Sequence, residues 1–200
     1  MVPSKPLQEK PYRQIVRCYP RLMFGSRRKV TLESFAQECV HFSLLNLTMS
    51  AENEVKIWNA AIEYGANPQT SVYELLFLSC VSTWHALFAA KARRKITSLQ
   101  WEFLNERFLT SVMETLSTQM VRESPWGVPL SEILQARLEE YRNATAGVPA
   151  IVGLDAMCHV FAKVCSGDPS NQRLFMEAKG ILGIGTNKLV EVISSVKFID

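Results

Sequence analysis

The sequence of 200 residues predicts an all-α fold. From Thr31 onward apolar residues recur at intervals of three and four, the period of one helix face. No run alternates β-branched and polar residues as a half-buried strand would, and proline or glycine punctuates most junctions between the periodic segments. The expected architecture is a compact bundle of about seven or eight helices around a central buried one, residues 31–200. A basic, proline-broken arm, residues 1–30, precedes it.

Four prolines, Pro3, Pro6, Pro11 and Pro20, keep the arm from forming a long helix, although Tyr12 to Tyr19 allows a short one. The first long helix is expected over Thr31 to Met49, with Leu32, Phe35, Cys39 and Phe42 on one side. A second follows Ser50, stacking Val55, Trp58, Ala61 and Ile62, and Gly65 closes it. Asn67-Pro68 is an N-cap followed by a first-turn proline, and Ser71 with Glu74 offers a later capping box. The helix so begun, about Gln69 to Lys95, contains sixteen residues without a charge, Leu75 to Ala90. That run is shorter than the ~20 apolar residues a bilayer requires and is interrupted by Ser79, Ser82, Thr83 and His85. A helix apolar all round is then expected at the centre of a bundle, and no membrane span is expected.

The fourth helix, about Leu99 to Arg122, carries the cleanest stripe: Trp101, Leu104, Phe108, Leu109, Val112, Met113, Leu116 and Met120. After the turn around Pro125 and Gly127, Pro129 opens a fifth with Leu130, Ile133, Leu134, Leu138 and Tyr141 inward. Gly147 to Pro149 separates it from a sixth carrying Ile151, Leu154, Cys158, Phe161, Ala162 and Cys165. Asp168-Pro169 predicts the start of a seventh, and Leu189 to Val196 an eighth.

With 48% apolar residues and a net charge of +3, the composition excludes a disordered or collagen-like chain. The opening residues lack the apolar run of a secretory signal, so a cytoplasmic protein is expected. Its five cysteines contain no CxxC pair and are expected as reduced thiols.

The small net charge is a cancellation. Residues 1–30 hold eight basic groups and one acid, a net +7, whereas the rest of the chain is −4. Within that acidic body Lys91, Arg93, Arg94 and Lys95 form a second basic island at a helix end, where cations favour the dipole. Asymmetry of this kind points to an anionic partner, such as nucleic acid, phospholipid headgroups or an acidic protein surface.

Catalytic chemistry is scarce, and an enzyme is not favoured. His159 shares a polar line with Asp155 and Lys163, which a solvent-facing helix surface explains without a nucleophile. His41 sits on a polar face with Gln37 and Glu38. His85 lies on the apolar helix beside Trp84, and Trp84, His85 and Trp101 mark the one candidate pocket. There is no HExxH, Walker loop or nucleophile elbow, so neither a metal nor a cofactor is expected. A cross-helix grouping of His85 with Glu38 or Glu74 would be the exception.

Near the C-terminus, Ile181-Leu182-Gly183-Ile184-Gly185-Thr186-Asn187-Lys188 places two glycines around an apolar residue between helical stretches. Residues 173–196 resemble the helix-hairpin-helix motif of nucleic-acid-binding proteins, with Leu182 in the usual proline position and Leu189 where a small residue is common. The resemblance implies a tight turn at Gly183 and Gly185, unpaired amides opening a helix, and Lys188 against a backbone phosphate.

The first reading is therefore a non-catalytic binder of the nucleic-acid backbone, without sequence specificity. Its contacts would be Arg13, Arg17, Arg21, Arg27, Arg28 and Lys29 of the arm, Arg93 and Arg94, and Gly183, Gly185 and Lys188. Tyr12, Tyr19 and Phe24 interleave with the arm's arginines, as stacking plus charge would require. The alternative is a protein-interaction adaptor, or a subunit of a larger assembly, docking through the arm. A third reading is an enzyme or ligand carrier with a pocket near His85.

Overall fold

The longest apolar stretch governs the arrangement, and a computed structural model, which describes residues 28–44, 51–118, 124–148 and 150–199, shows how it is enclosed. In chain order the elements are β1 (Arg28–Val30), α1 (Leu32–Leu44), α2 (Ala51–Glu63), α3 (Pro68–Ala92), α4 (Ser98–Thr118), α5 (Leu130–Thr145), α6 (Ala150–Ser166), α7 (Gln172–Ser195) and β2 (Val196–Phe198). Among the described residues this is an all-α bundle of seven helices with one short strand pair.

Asn67 caps α3 as its sequence predicts: the side-chain oxygen accepts from Gln69 N at 2.9 Å, and Pro68 takes the first turn. The alternative capping box is not used, because Ser71 donates to the Asn67 carbonyl and Glu74 is ion-paired elsewhere. Although α3 is long and apolar enough to cross a membrane, 56% of its most apolar window is buried inside the protein. Leu76, Phe77, Cys80 and Leu87 pack with α1, α4, α5 and the second half of α7. Leu78 and Val81 pack instead with α5, α6 and the first half of α7. Each such fully buried Leu or Phe contributes about 1.5–3 kcal/mol.

Two polar pairings cross this interior. Ser43 of α1 donates to Thr83 of α3 at 2.7 Å, and Arg137 of α5 grips the buried Glu74 carboxylate from two nitrogens at 2.6 and 3.0 Å. Burial raises the Glu74 carboxyl pKa while Arg137 opposes it, and the pair keeps the guanidinium charged. Removing one partner of such a pair costs more than replacing both, since it strands a buried charge.

The predicted stripes of α4, α5 and α6 point inward: Leu104, Phe108, Val112 and Leu116, then Leu130, Leu134 and Tyr141, then Cys158, Phe161, Ala162 and Cys165 are buried. On α2 the stripe faces the other way. Val55, Trp58 and Ile62 are 58%, 43% and 59% exposed, and the small Ala61 is the buried member of the predicted face. Met49, Ser50 and Met120, like the short helix considered for Tyr12 to Tyr19, lie outside the described residues.

Two expectations at the C-terminal end are corrected. Asp168 does not open a helix; its carboxylate accepts from Ser170 N and Oγ in a turn, and the cap of α7 is Asn171, which accepts from Leu174 N. More importantly, Gly183 and Gly185 do not form a hairpin. They lie in mid-helix within the unbroken α7, so no separate eighth helix begins at Leu189 and the amides from Gly183 to Lys188 do not open a helix. Gly185 instead permits close packing. A Cβ at Gly185 would stand 2.7 Å from Ser82 Oγ on α3, whereas at Gly183 it would meet nothing within 4 Å. The Gly-apolar-Gly signature thus marks a helix–helix approach.

At one end of the bundle the starts of α3 and α7 meet: Asn171 Nδ2 donates to the Tyr64 carbonyl at 2.8 Å and Asn67 N to that of Cys165 at 2.8 Å. Gly185 against Ser82 continues the contact, so α3 and α7 run in the same direction. At the far end α7 passes directly into β2, which pairs in parallel with β1, Arg28 opposite Val196 and Lys29 opposite Lys197. The pair is anchored by buried Val30 and Val196 and by Phe198, edge-on to Phe35 at 5.4 Å. Three-residue strands fall below what sequence periodicity resolves, and Arg28 to Val30, assigned to the arm by sequence, belong to the body.

Replacing Gly183 by Ala should raise stability in urea titration by about 0.5–1 kcal/mol, the usual gain inside a helix. Gly185→Ala should fall short of that gain or lose stability, and Ser82→Ala should restore it, since the next contact lies 3.8 Å away. Destabilisation by Gly183→Ala would contradict an unbroken α7.

Candidate functional site

The second basic island occupies the sharp turn from α3 to α4. Arg93 is the C-cap of α3; Arg94 N donates to the Lys91 carbonyl and Lys95 N to that of Ala90, each at 2.9 Å. This is the Schellman pattern, whose left-handed position usually belongs to glycine. Here it is held by Arg94 at φ 54°, the one non-glycine residue with positive φ among those described. The left-handed conformation costs a residue with a Cβ about 1–2 kcal/mol. The chain thus keeps an exposed guanidinium where glycine would be the more stable choice.

Beyond the turn α4 is capped from both sides: Gln100 N donates to Thr97 Oγ1 at 3.2 Å, and Thr97 N to Gln100 Oε1 at 3.0 Å. Between the helices opens a cleft of about 560 Å³ lined by Phe88, Lys91, Ala92, Arg94, Lys95, Ile96, Thr97, Ser98 and Gln100. Lys91 Nζ lies 4.1 Å from the centre of the Trp101 ring, which also packs edge-on against Phe88 at 6.5 Å. Arg93 and Lys95 face a second cleft, of about 370 Å³, with Val190, Glu191, Ser194 and Ser195 of α7.

That second cleft lies beside the strand pair. Ser195 precedes Val196, whose register partner is Arg28, so the turn at Arg93 to Lys95 and the end of the arm meet at the end of α7. Arg28 is ion-paired with Glu38, but Lys29 and Lys197, both exposed, stand side by side across the strands. Two exposed cations side by side add to the positive potential at this end. Lys197 was not among the sequence candidates, because nothing in the sequence pairs it with Lys29.

The other candidates are scattered or engaged. Arg13, Arg17, Arg21 and Arg27 lie outside the described residues, as do Tyr12, Tyr19 and Phe24. Lys188 is half-buried on α7, two turns before Ser195, with no helix start beside it. Asp155 is ion-paired with Lys179 at 2.8 Å, while His159 Nδ1 lies 2.7 Å from the Pro169 carbonyl and its ring against Phe175. That line of residues is therefore structural. Glu38 and Glu74, considered as partners for His85, are bound to Arg28 and Arg137 instead.

Neither cleft reaches Trp84, His85 or Trp101. Trp84 and Trp101 pack on the core, and His85 is half-buried with an unpaired Nδ1. Burial first, and the Arg93 charge second, hold the His85 imidazole below its ordinary pKa. The thiols are equally quiet: burial pushes Cys39, Cys80 and Cys158 up to about 12, and Cys165 higher still. No protein-family model matches this chain, and no curated protein or solved structure matches it either.

A depressed imidazole is neutral in the folded protein, so its contribution to stability is complete above the ordinary value of about 6.5 and is lost as pH falls through the folded value. Between pH 7 and 5 the wild type should therefore lose more stability than His85→Gln. In an NMR titration His85 should protonate below 6.5, and Arg93→Gln should move it upward. Protonation at or above 6.5 would contradict this environment.

Proposed function

We propose that this protein is a non-catalytic binder of polyanions, engaging the phosphate backbone of nucleic acid without reading its sequence. One observation carries the reading: the basic turn at Arg93 to Lys95 and the strand residue Lys29, some sixty residues apart in sequence, both adjoin the end of α7. Arg93, Arg94, Lys95, Lys29 and Lys197 are exposed cations there, with Glu191 in the second cleft and Glu38 on Arg28 as neighbouring carboxylates. Such an arrangement supplies charge and position but no base-edge contacts, which is the character of backbone recognition. The hairpin implied by the sequence resemblance contributes nothing to it, since Gly183, Gly185 and Lys188 lie within α7.

The helix dipoles explain part of the charge, because cations are stabilised at helix C-termini by about 0.3–1 kcal/mol each. They do not explain why Arg94 holds a left-handed position or why Lys29 adjoins Lys197. An anionic ligand would engage both.

Binding to a generic oligonucleotide should weaken steeply with salt, log K falling linearly with log salt. Arg94→Gly should separate function from stability, raising the unfolding free energy by up to about 1 kcal/mol while lowering affinity and making the salt slope shallower by somewhat less than one. Fluorescence anisotropy and thermal melting check both. Salt-independent binding would contradict the reading, as would an Arg94→Gly protein that binds as tightly as wild type. A poly-glutamate chain that outcompetes nucleic acid would favour the adaptor reading instead.

A further inference from the structure

We infer that the cleft between α3 and α4 takes an unpaired nucleotide, so that the protein prefers single-stranded nucleic acid to duplex. This inference rests on the polyanion reading above. Three cations, Lys91, Arg94 and Lys95, line the same cleft as the Phe88 ring, which is 49% exposed. A large aromatic side chain left half in water beside cations is the combination that single-strand binders use: charge follows the backbone, and the ring offers a face on which a base can stack. The Phe88 ring is already braced by Trp101, and Trp101 by Lys91, so the platform stays in position as a base arrives.

The shape of the cleft argues the same way. Its volume of about 560 Å³ is in the range of sites for small ligands. A duplex keeps its bases paired and stacked and presents only sugar and phosphate to such a cleft, whereas a splayed single strand can insert a base. Thr97 and Gln100, whose side chains cap α4, line it as well. Nothing there reads a particular base edge, so selectivity among the four bases is expected to be slight and to follow stacking strength.

The test measures the full chain against a fluorescent single-stranded oligonucleotide and against the duplex of the same sequence at matched salt. The single strand should bind more tightly. Phe88→Ala should lower the ratio of single-strand to duplex affinity by about tenfold, and Phe88→Tyr, which keeps the ring, should preserve it. Equal affinity for the two forms, or a ratio unchanged by Phe88→Ala, would overturn the inference. If both forms bind equally with a steep salt dependence, the polyanion reading survives and the single-strand preference falls. If neither binds, both fall. Competition by anionic phospholipid vesicles as effective as that by the oligonucleotide would likewise overturn the preference for unpaired bases.

Discussion

The stretch from Leu75 to Ala90 contains no charge and offers apolar side chains in every direction around its helix. Such a helix is stable in water only if neighbours cover it on all sides, and this requirement orders the rest of the bundle. Helices α1, α4 and α5 cover one flank and α5 and α6 another, while α7 runs along α3 for most of its length. The closest approach is made possible by Gly185, whose missing side chain leaves room for Ser82. Where the enclosing surfaces bring polar groups inside, Ser43 finds Thr83 and Glu74 finds Arg137.

The placement of charge is a consequence of that packing. Because α3 and α7 start together and run in the same direction, their C-terminal ends lie together as well. One ends in the basic turn, and the other passes into the strand that captures the end of the arm. Segments far apart in sequence are thereby brought to one end of the molecule, away from the turns at Asn67 and Asn171. The left-handed Arg94 marks this end as a place where conformational stability yields to the chemistry of a side chain.

Most of the fold was legible in the sequence. Asn67-Pro68 named its own cap, and the α4 stripe from Leu104 to Leu116 declared its buried face. The failures have physical causes. Gly-Ile-Gly reads as a turn when judged by local conformational freedom, but tertiary packing used the same residues for close approach in mid-helix. Val55, Trp58 and Ile62 have helical spacing, which predicts a face but does not say which way it points. The strand pair escaped detection because its segments are three residues long and their partners stand at opposite ends of the chain. Of the candidate site, the basic turn was visible as a charge run. Its neighbour Lys197 and the cleft beside Phe88 depend on packing between helices, and local pattern carries no signal for them.

In the proposed function, the basic turn at Arg93 to Lys95 and the strand pair carrying Lys29 and Lys197 form one binding surface. Amide hydrogen exchange, with and without a saturating oligonucleotide, tests it most directly because it reads both segments in the same sample. Added protection should appear together in Lys91 to Gln100 and in the strands Arg28–Val30 and Val196–Phe198, while the α2 face carrying Val55, Trp58 and Ile62 is unchanged. Protection confined to one island, or appearing on the far side of the bundle around Asn67 and Asn171, would contradict it.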